Sequence, residues 1–173
     1  MPVRQIAAAT IIAFGLLALL ASERAGAHHG WSSFETRHAY YVSGTVEEVY
    51  WGYPHGEVRL RIATTEPPAD LSGRDLPPGA DPEIGRATMA STRPYGGDRQ
   101  ELRLVLAGPD WMARWGLDRP IREGERLEAI GFLQSADSSE LRPVMFWLED
   151  GQGVWQQLTS FPDAPEPAAG GTD

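Results

Sequence analysis

Two stretches of the chain alternate between apolar and polar positions. In 57–64, Val58, Leu60 and Ile62 face one way and Arg59 and Arg61 the other, and in 100–107 Leu102, Leu104 and Leu106 repeat the pattern. Successive side chains of a strand point to opposite faces, so both stretches predict strands with one buried face. A third stretch, 40–50, mixes β-branched and aromatic residues with charges, and Val42, Thr45, Val46 and Val49 suit a half-buried strand. Gly44 inside it predicts a bulge or sharp coil of the kind that curves a small barrel. Pro54 and two glycines in "WGYPHG" then mark a turn.

Further on, "ERLEAIGFLQS" and "ELRPVMFWLED" read as two strands around the turn "ADSS", and "GVWQQL" as a last edge strand. Before them, "GPDWMARWGL" reads as a short helix: Pro109 fits a first turn, Trp111, Met112 and Trp115 fall at helical spacing, and Gly116 ends it. Trp111, Trp115 and Trp147 read as core positions. Three strands, a helix and two strands is the order of the five-stranded OB barrel, so the expected fold is all-β, a small OB-like five-stranded barrel with one short helix between strands three and four.

The barrel domain is expected over 28–160, interrupted at 66–98 by a Pro-, Gly- and Asp-rich segment with few apolar anchors, which reads as a flexible insertion. The last residues, 161–173, read as a disordered tail. At the other end, Arg4, an apolar run from Ile6 to Ala21 and the small residues Ala25-Gly26-Ala27 follow the order of a secretory signal peptide. Cleavage after Ala27 would leave a periplasmic chain beginning at His28, with no membrane span after cleavage. The run of sixteen apolar residues is shorter than the roughly 20 that a spanning helix needs.

Composition narrows the chemistry. The chain has no cysteine, so any metal site must use histidine, carboxylate, methionine or the amino terminus. A net charge of −9 without any basic cluster argues against nucleic acid as a partner. No nucleophile elbow, phosphate-binding loop or paired carboxylates stand out, so a binding protein is expected rather than an enzyme.

All four histidines, His28, His29, His38 and His55, lie between positions 28 and 55. A freed His28 could chelate one cation through its α-amine and its ring, His29 would add a second imidazole, and Cu(II) favours such nitrogen-rich sets. His55, in the turn at a strand end, is the better third imidazole. The dozen residues from His28 to the first strand, at ~3.3 Å each, are long enough to reach it. Glu35 is a weaker candidate, as an outer ligand or as an acceptor that orients an imidazole. His38, among polar residues, is the weakest histidine. Trp31 and Trp51, with Tyr53, flank the histidines and could wall a pocket.

Several stretches resemble a family of short bacterial exported proteins, the domain of unknown function 6152. They are "HHGWSSFE", "SGTVEEVYWGYPH", "GPDWMARWGL" and "REGERLEAIGF", and the resemblance covers roughly 28–158 outside the insertion. His28, His29, Glu35, Trp51, Pro54 and His55 match the family pattern, whereas Gly30 stands where Ser is usual and Tyr53 where Asn is usual. The resemblance implies an OB-like barrel and periplasmic residence, favours His28, His29 and His55 together over His38, and implies no particular activity. The functional expectation is therefore a periplasmic copper-binding protein using the N-terminal His-His pair and the strand-end Pro-His. Its rival is an OB-like interaction module that binds an envelope partner protein or a small ligand without metal.

Overall fold

The computed structural model describes residues 34–135 and 138–156, with Glu35 and Thr36 described by their backbone alone. The expected signal peptide, His28, His29, Trp31 and the tail expected to be disordered lie outside the described residues. The strands are β1 (Glu35–Tyr50), β2 (His55–Thr64), β3 (Arg93–Pro94), β4 (Glu101–Ala107), β5 (Arg126–Leu133), β6 (Glu140–Leu148) and β7 (Gly153–Trp155). Two helices, α1 (Pro82–Ser91) and α2 (Pro109–Arg114), separate β2 from β3 and β4 from β5. Among the described residues no helix is long and apolar enough to cross a membrane.

The strands β1, β2, β4, β6 and β5 pair in that order and close back onto β1, with β4 and β6 parallel and the other neighbours antiparallel. This is an OB-like barrel, and α2 stands between its third and fourth strands. Sixteen residues of β1 serve two partners within the barrel, Tyr40–Thr45 pairing with β5 and Ser43–Tyr50 with β2, and Tyr40 and Tyr41 also pair with the short β3. Gly44 pairs with both, opposite Leu127 and Ile62, beside a register shift. A Cβ on Gly44 would lie 2.0 Å from the Arg61 carbonyl oxygen, so only glycine lets the two strands approach there.

The parallel seam between β4 and β6 is short, carrying only the pairs Arg103 with Glu140 and Leu104 with Leu141. Beyond them the side chain of Gln156, 1% exposed, acts as an extra peptide group. Ala107 N–H donates to its Oε1 at 2.6 Å, its Nε2 donates to the Pro143 carbonyl, and its own N–H donates to Val144 O at 2.8 Å.

Inside the barrel, Val42, Val46, Val58, Leu60, Leu104 and Phe146 meet Met112, Leu117 and Ile121 from α2 and the segment after it. A second apolar cluster lies on the outer side of β1, β5 and β6. There Tyr41, Ile130, Phe132, Met145 and Trp147 are covered by Leu71 and Met89, with Leu76, Ala80 and Ile84 packed at its margin. The continuous apolar runs of β5 and β6 are thus strands buried on both sides.

The covering residues all come from 66–98, so the segment carries more apolar anchors than its Pro-, Gly- and Asp-rich composition predicts. The segment carries a 3₁₀ turn at Leu71–Gly73 and the ten-residue helix α1, whose N-cap Asp81 accepts hydrogen bonds from the Glu83 and Ile84 N–H groups and whose first position is Pro82. Its density of Pro and Gly hid this, because Leu71, Ile84 and Met89 find their apolar partners on distant strands. We expect Met89→Ala to cost about 2 kcal/mol in a urea titration, the lower end for emptying a fully buried methionine site. Excising 66–98 would strip the cover from the outer cluster.

Candidate functional site at the barrel rim

The turn from β1 to β2, Trp51-Gly52-Tyr53-Pro54, contains a cis bond before Pro54 and delivers His55 as the first residue of β2. Two glycines make the turn compact. A Cβ on Gly52 would lie 2.5 Å from the Tyr50 ring, so the absent side chain lets that ring fold under the turn, where Tyr50 Oη donates to the Tyr53 carbonyl at 3.3 Å. A Cβ on Gly108 would lie 2.9 Å from the Pro54 carbonyl oxygen and 3.4 Å from the Tyr53 ring. The turn therefore packs against the start of α2.

That contact joins the turn to Asp110 and Trp111. The Asp110 carboxylate, acting on the Tyr53 hydroxyl, raises the pKa of the phenol above its ordinary value. Trp111 lies 5.7 Å from the Trp115 ring, and the Arg114 guanidinium sits 4.9 Å from the Trp111 ring centre. Among the described residues the exposed large apolar side chains are Tyr50 at 56%, Tyr53 at 61% and Trp111 at 50%, and all three belong to this turn and helix. Trp111, expected in the core, is at the surface; the helix instead buries Met112, one residue on, with Trp115 half-buried. Trp147 is buried, but in the outer cluster rather than the barrel interior.

His55 is half-buried at this same rim and pairs with Ala107, the last residue of β4 before Gly108. The other sequence candidates are spread out. Glu35 opens β1 and pairs with Leu133, at the far end of the strand from the turn. His38 follows three residues later, half-buried, and its Nδ1 is enclosed without a hydrogen-bond partner among the described residues. Trp51 is half-buried against the barrel core, while Tyr53 stands exposed. Among the described residues no three histidine, aspartate or glutamate side chains gather closely enough to hold a metal ion.

Two grooves mark the barrel surface, the first of them starting at Tyr50. One, of about 760 Å³, runs over the outer face of β1, β2 and β4. On its floor Arg59 and Arg103 are directly opposed across the strand pair. Like charges in that register repel, and each is offset by two carboxylates: Arg59 by Glu48 at 2.6 Å and Glu101 at 3.3 Å, Arg103 by Glu57 at 3.4 Å and by Glu140. The other, about 550 Å³, is floored by Trp147, with Arg74 5.9 Å from the ring centre. Arg74 is held there by Glu128 at 2.9 Å and Asp70 at 3.1 Å. Glu128 also accepts a hydrogen bond from Tyr41 Oη at 2.8 Å, and burial together with that carboxylate pushes the Tyr41 pKa up. Both sets of charges are answered within the protein, which marks them as structural.

No protein-family model, curated protein or solved structure matches this chain. The rim is therefore read from its own chemistry. Asp110 and Gly108 are not among the residues that the sequence singles out, and Trp111 is read from it as core rather than rim.

Proposed function

We propose that this is a periplasmic metal-binding protein that takes up copper at the barrel rim, with His55 as the ligand held by the barrel and the His28 amine and ring together with His29 as the others. The observation that supports this reading is the half-buried His55, carried on the first residue of a barrel strand and positioned by a turn that packs on Gly108. An imidazole on a rigid strand end loses little freedom on coordination, while an N-terminal chelate adds the nitrogen donors that Cu(II) prefers. Export through a signal peptide, and the resemblance to an exported bacterial family, belong to the same proposal.

The test is a Cu(II) titration of the exported chain beginning at His28. His55→Ala should weaken binding at least ~10-fold, the loss that ~1.4 kcal/mol from one ligand represents. A single residue added ahead of His28 should weaken it as well, because the amine is then no longer on His28. Unchanged affinity in both variants rejects the reading. A second reading, an interaction module for an envelope partner or small ligand, draws on the exposed aromatic trio Tyr50, Tyr53 and Trp111.

A further inference from the structure

The last described residue lies beside the exposed aromatic rim. It is Gln156, whose side chain accepts from Ala107 N–H at 2.6 Å. Ala107 precedes Gly108, on which the turn packs, and Trp111 N–H donates back to the Gly108 carbonyl at 3.0 Å. Even a fully extended chain would keep Trp111 within ~14 Å of Ala107, and the helical turn shortens that. Residues 157–173 continue from this point. Extended at ~3.3 Å per residue, 157–161 bring Phe161 as far as roughly 16 Å from Gln156, which is enough to reach the rim.

The segment orders its residues to suit such a surface. "FPDAPEP", 161–167, contains Pro162-Asp163-Ala164-Pro165. Prolines at that spacing dock on aromatic side chains, because the polyproline II form is set before binding and little entropy is lost. Three residues make one turn of that form, so Phe161, Ala164 and Pro167 share one edge, Pro162 and Pro165 a second, and Asp163 and Glu166 the third. Two edges are apolar, and both carboxylates project from the other into water. The segment has too few apolar residues to build a core of its own. Tyr50, Tyr53 and Trp111 offer it a surface already built: each is at least half exposed, Trp111 even with Trp115 and Arg114 against its ring. We propose that the chain's own C-terminal segment, through Phe161, Pro162 and Pro165, docks on the rim formed by Tyr50, Tyr53 and Trp111. The inference draws on the rim and the segment alone and is independent of copper. Any external partner of the rim must displace the segment. A weak contact is sufficient, because a short tether holds the segment at an effective concentration in the mM range, so an affinity of ~1 mM keeps the contact closed about half the time.

The chain has no cysteine, so one introduced thiol carries a unique label. Asp163→Cys in the full exported chain places a nitroxide on the edge that faces away from the rim, and NMR reads which signals it broadens. The Trp111 indole should broaden strongly. The Glu101 amide, at the other end of β4 and ~20 Å along the strand from Ala107, should not. Adding Phe161→Ser and Pro162→Ser should cut the broadening at Trp111 about 2-fold or more, since the docked population is lost while the tether is unchanged. Both substitutions lie outside the barrel strands and leave its core intact. Broadening at Trp111 that persists in the serine variant comes from the tether alone and overturns the proposal, as does equal broadening at Trp111 and Glu101. Mixing the nitroxide-labelled chain with an isotope-enriched copy that carries no nitroxide identifies the source. Broadening of Trp111 in the enriched copy means that a second copy's segment occupies the rim, which overturns docking within one chain.

Discussion

Gln156→Leu is expected to cost about 4 kcal/mol of folding stability, read as a fall in the urea midpoint at unchanged slope. Gln156 is 1% exposed, and its amide satisfies two buried backbone groups on different strands, the Ala107 N–H and the Pro143 carbonyl. Leucine fills most of the same volume, so the loss isolates the polar term. An unsatisfied buried donor or acceptor costs ~1–3 kcal/mol, and here one substitution strands one of each. The gap exists because β4 and β6 pair through only two register positions, which leaves their next residues without a ladder.

Gln156→Glu sharpens the argument. A carboxylate at this site can still accept from Ala107 N–H but turns an oxygen toward the Pro143 carbonyl oxygen. A protonated carboxyl can donate there instead. The folded state therefore favours the neutral form and raises the pKa of the introduced Glu. The destabilisation relative to Gln156 should be small below the unfolded glutamate pKa of about 4.3 and should grow as pH rises through the folded value. A pH-independent loss relative to the unsubstituted protein would show that the side chain acts by packing alone.

The second large effect is expected at Gly44. Gly44→Ala should cost at least about 3 kcal/mol, since the new methyl group would sit 2.0 Å from the Arg61 carbonyl oxygen and neither backbone can yield without losing pairing. Gly44 is the residue at which β1 passes from β5 to β2, so a shift there loosens the closure of the barrel as well as one contact. Gly96→Ala is the control, because nothing lies within 4 Å of its added Cβ; it should be neutral or slightly stabilising. Equal responses from Gly44 and Gly96 in the same urea titration would remove the closure argument.

Much of the barrel is legible in the chain because strand alternation is local. Val58, Leu60 and Leu104 lie on the faces their spacing predicts, Gly44 marks a bulge, and Pro109 opens the helix between the third and fourth strands. The insertion was legible only in part. Asp81-Pro82-Glu83 is a sound helix start, yet the cluster that makes the helix worthwhile comes from β1, β5 and β6, far away in sequence. At the rim, Tyr53 and His55 could be named from the turn. Their neighbours Gly108 and Asp110 could not, because they come from another part of the chain and meet the turn only when β2 and β4 align His55 with Ala107.

By itself the sequence determined most of the barrel strands, though neither the start of β1 at Glu35 nor the short β3, together with which face of β2 and β4 is apolar and where β1 turns into β2. Those follow from side-chain alternation and backbone permissions within a few residues. Tertiary structure alone decided that Trp111 faces solvent while Met112 fills the barrel, that Leu71 and Met89 cover an outer wall, and that Gln156 completes the seam. The physical reason is register. Pairing brings together groups dozens of residues apart, and whether a side chain is buried, satisfied or left open to a ligand depends on what stands opposite it.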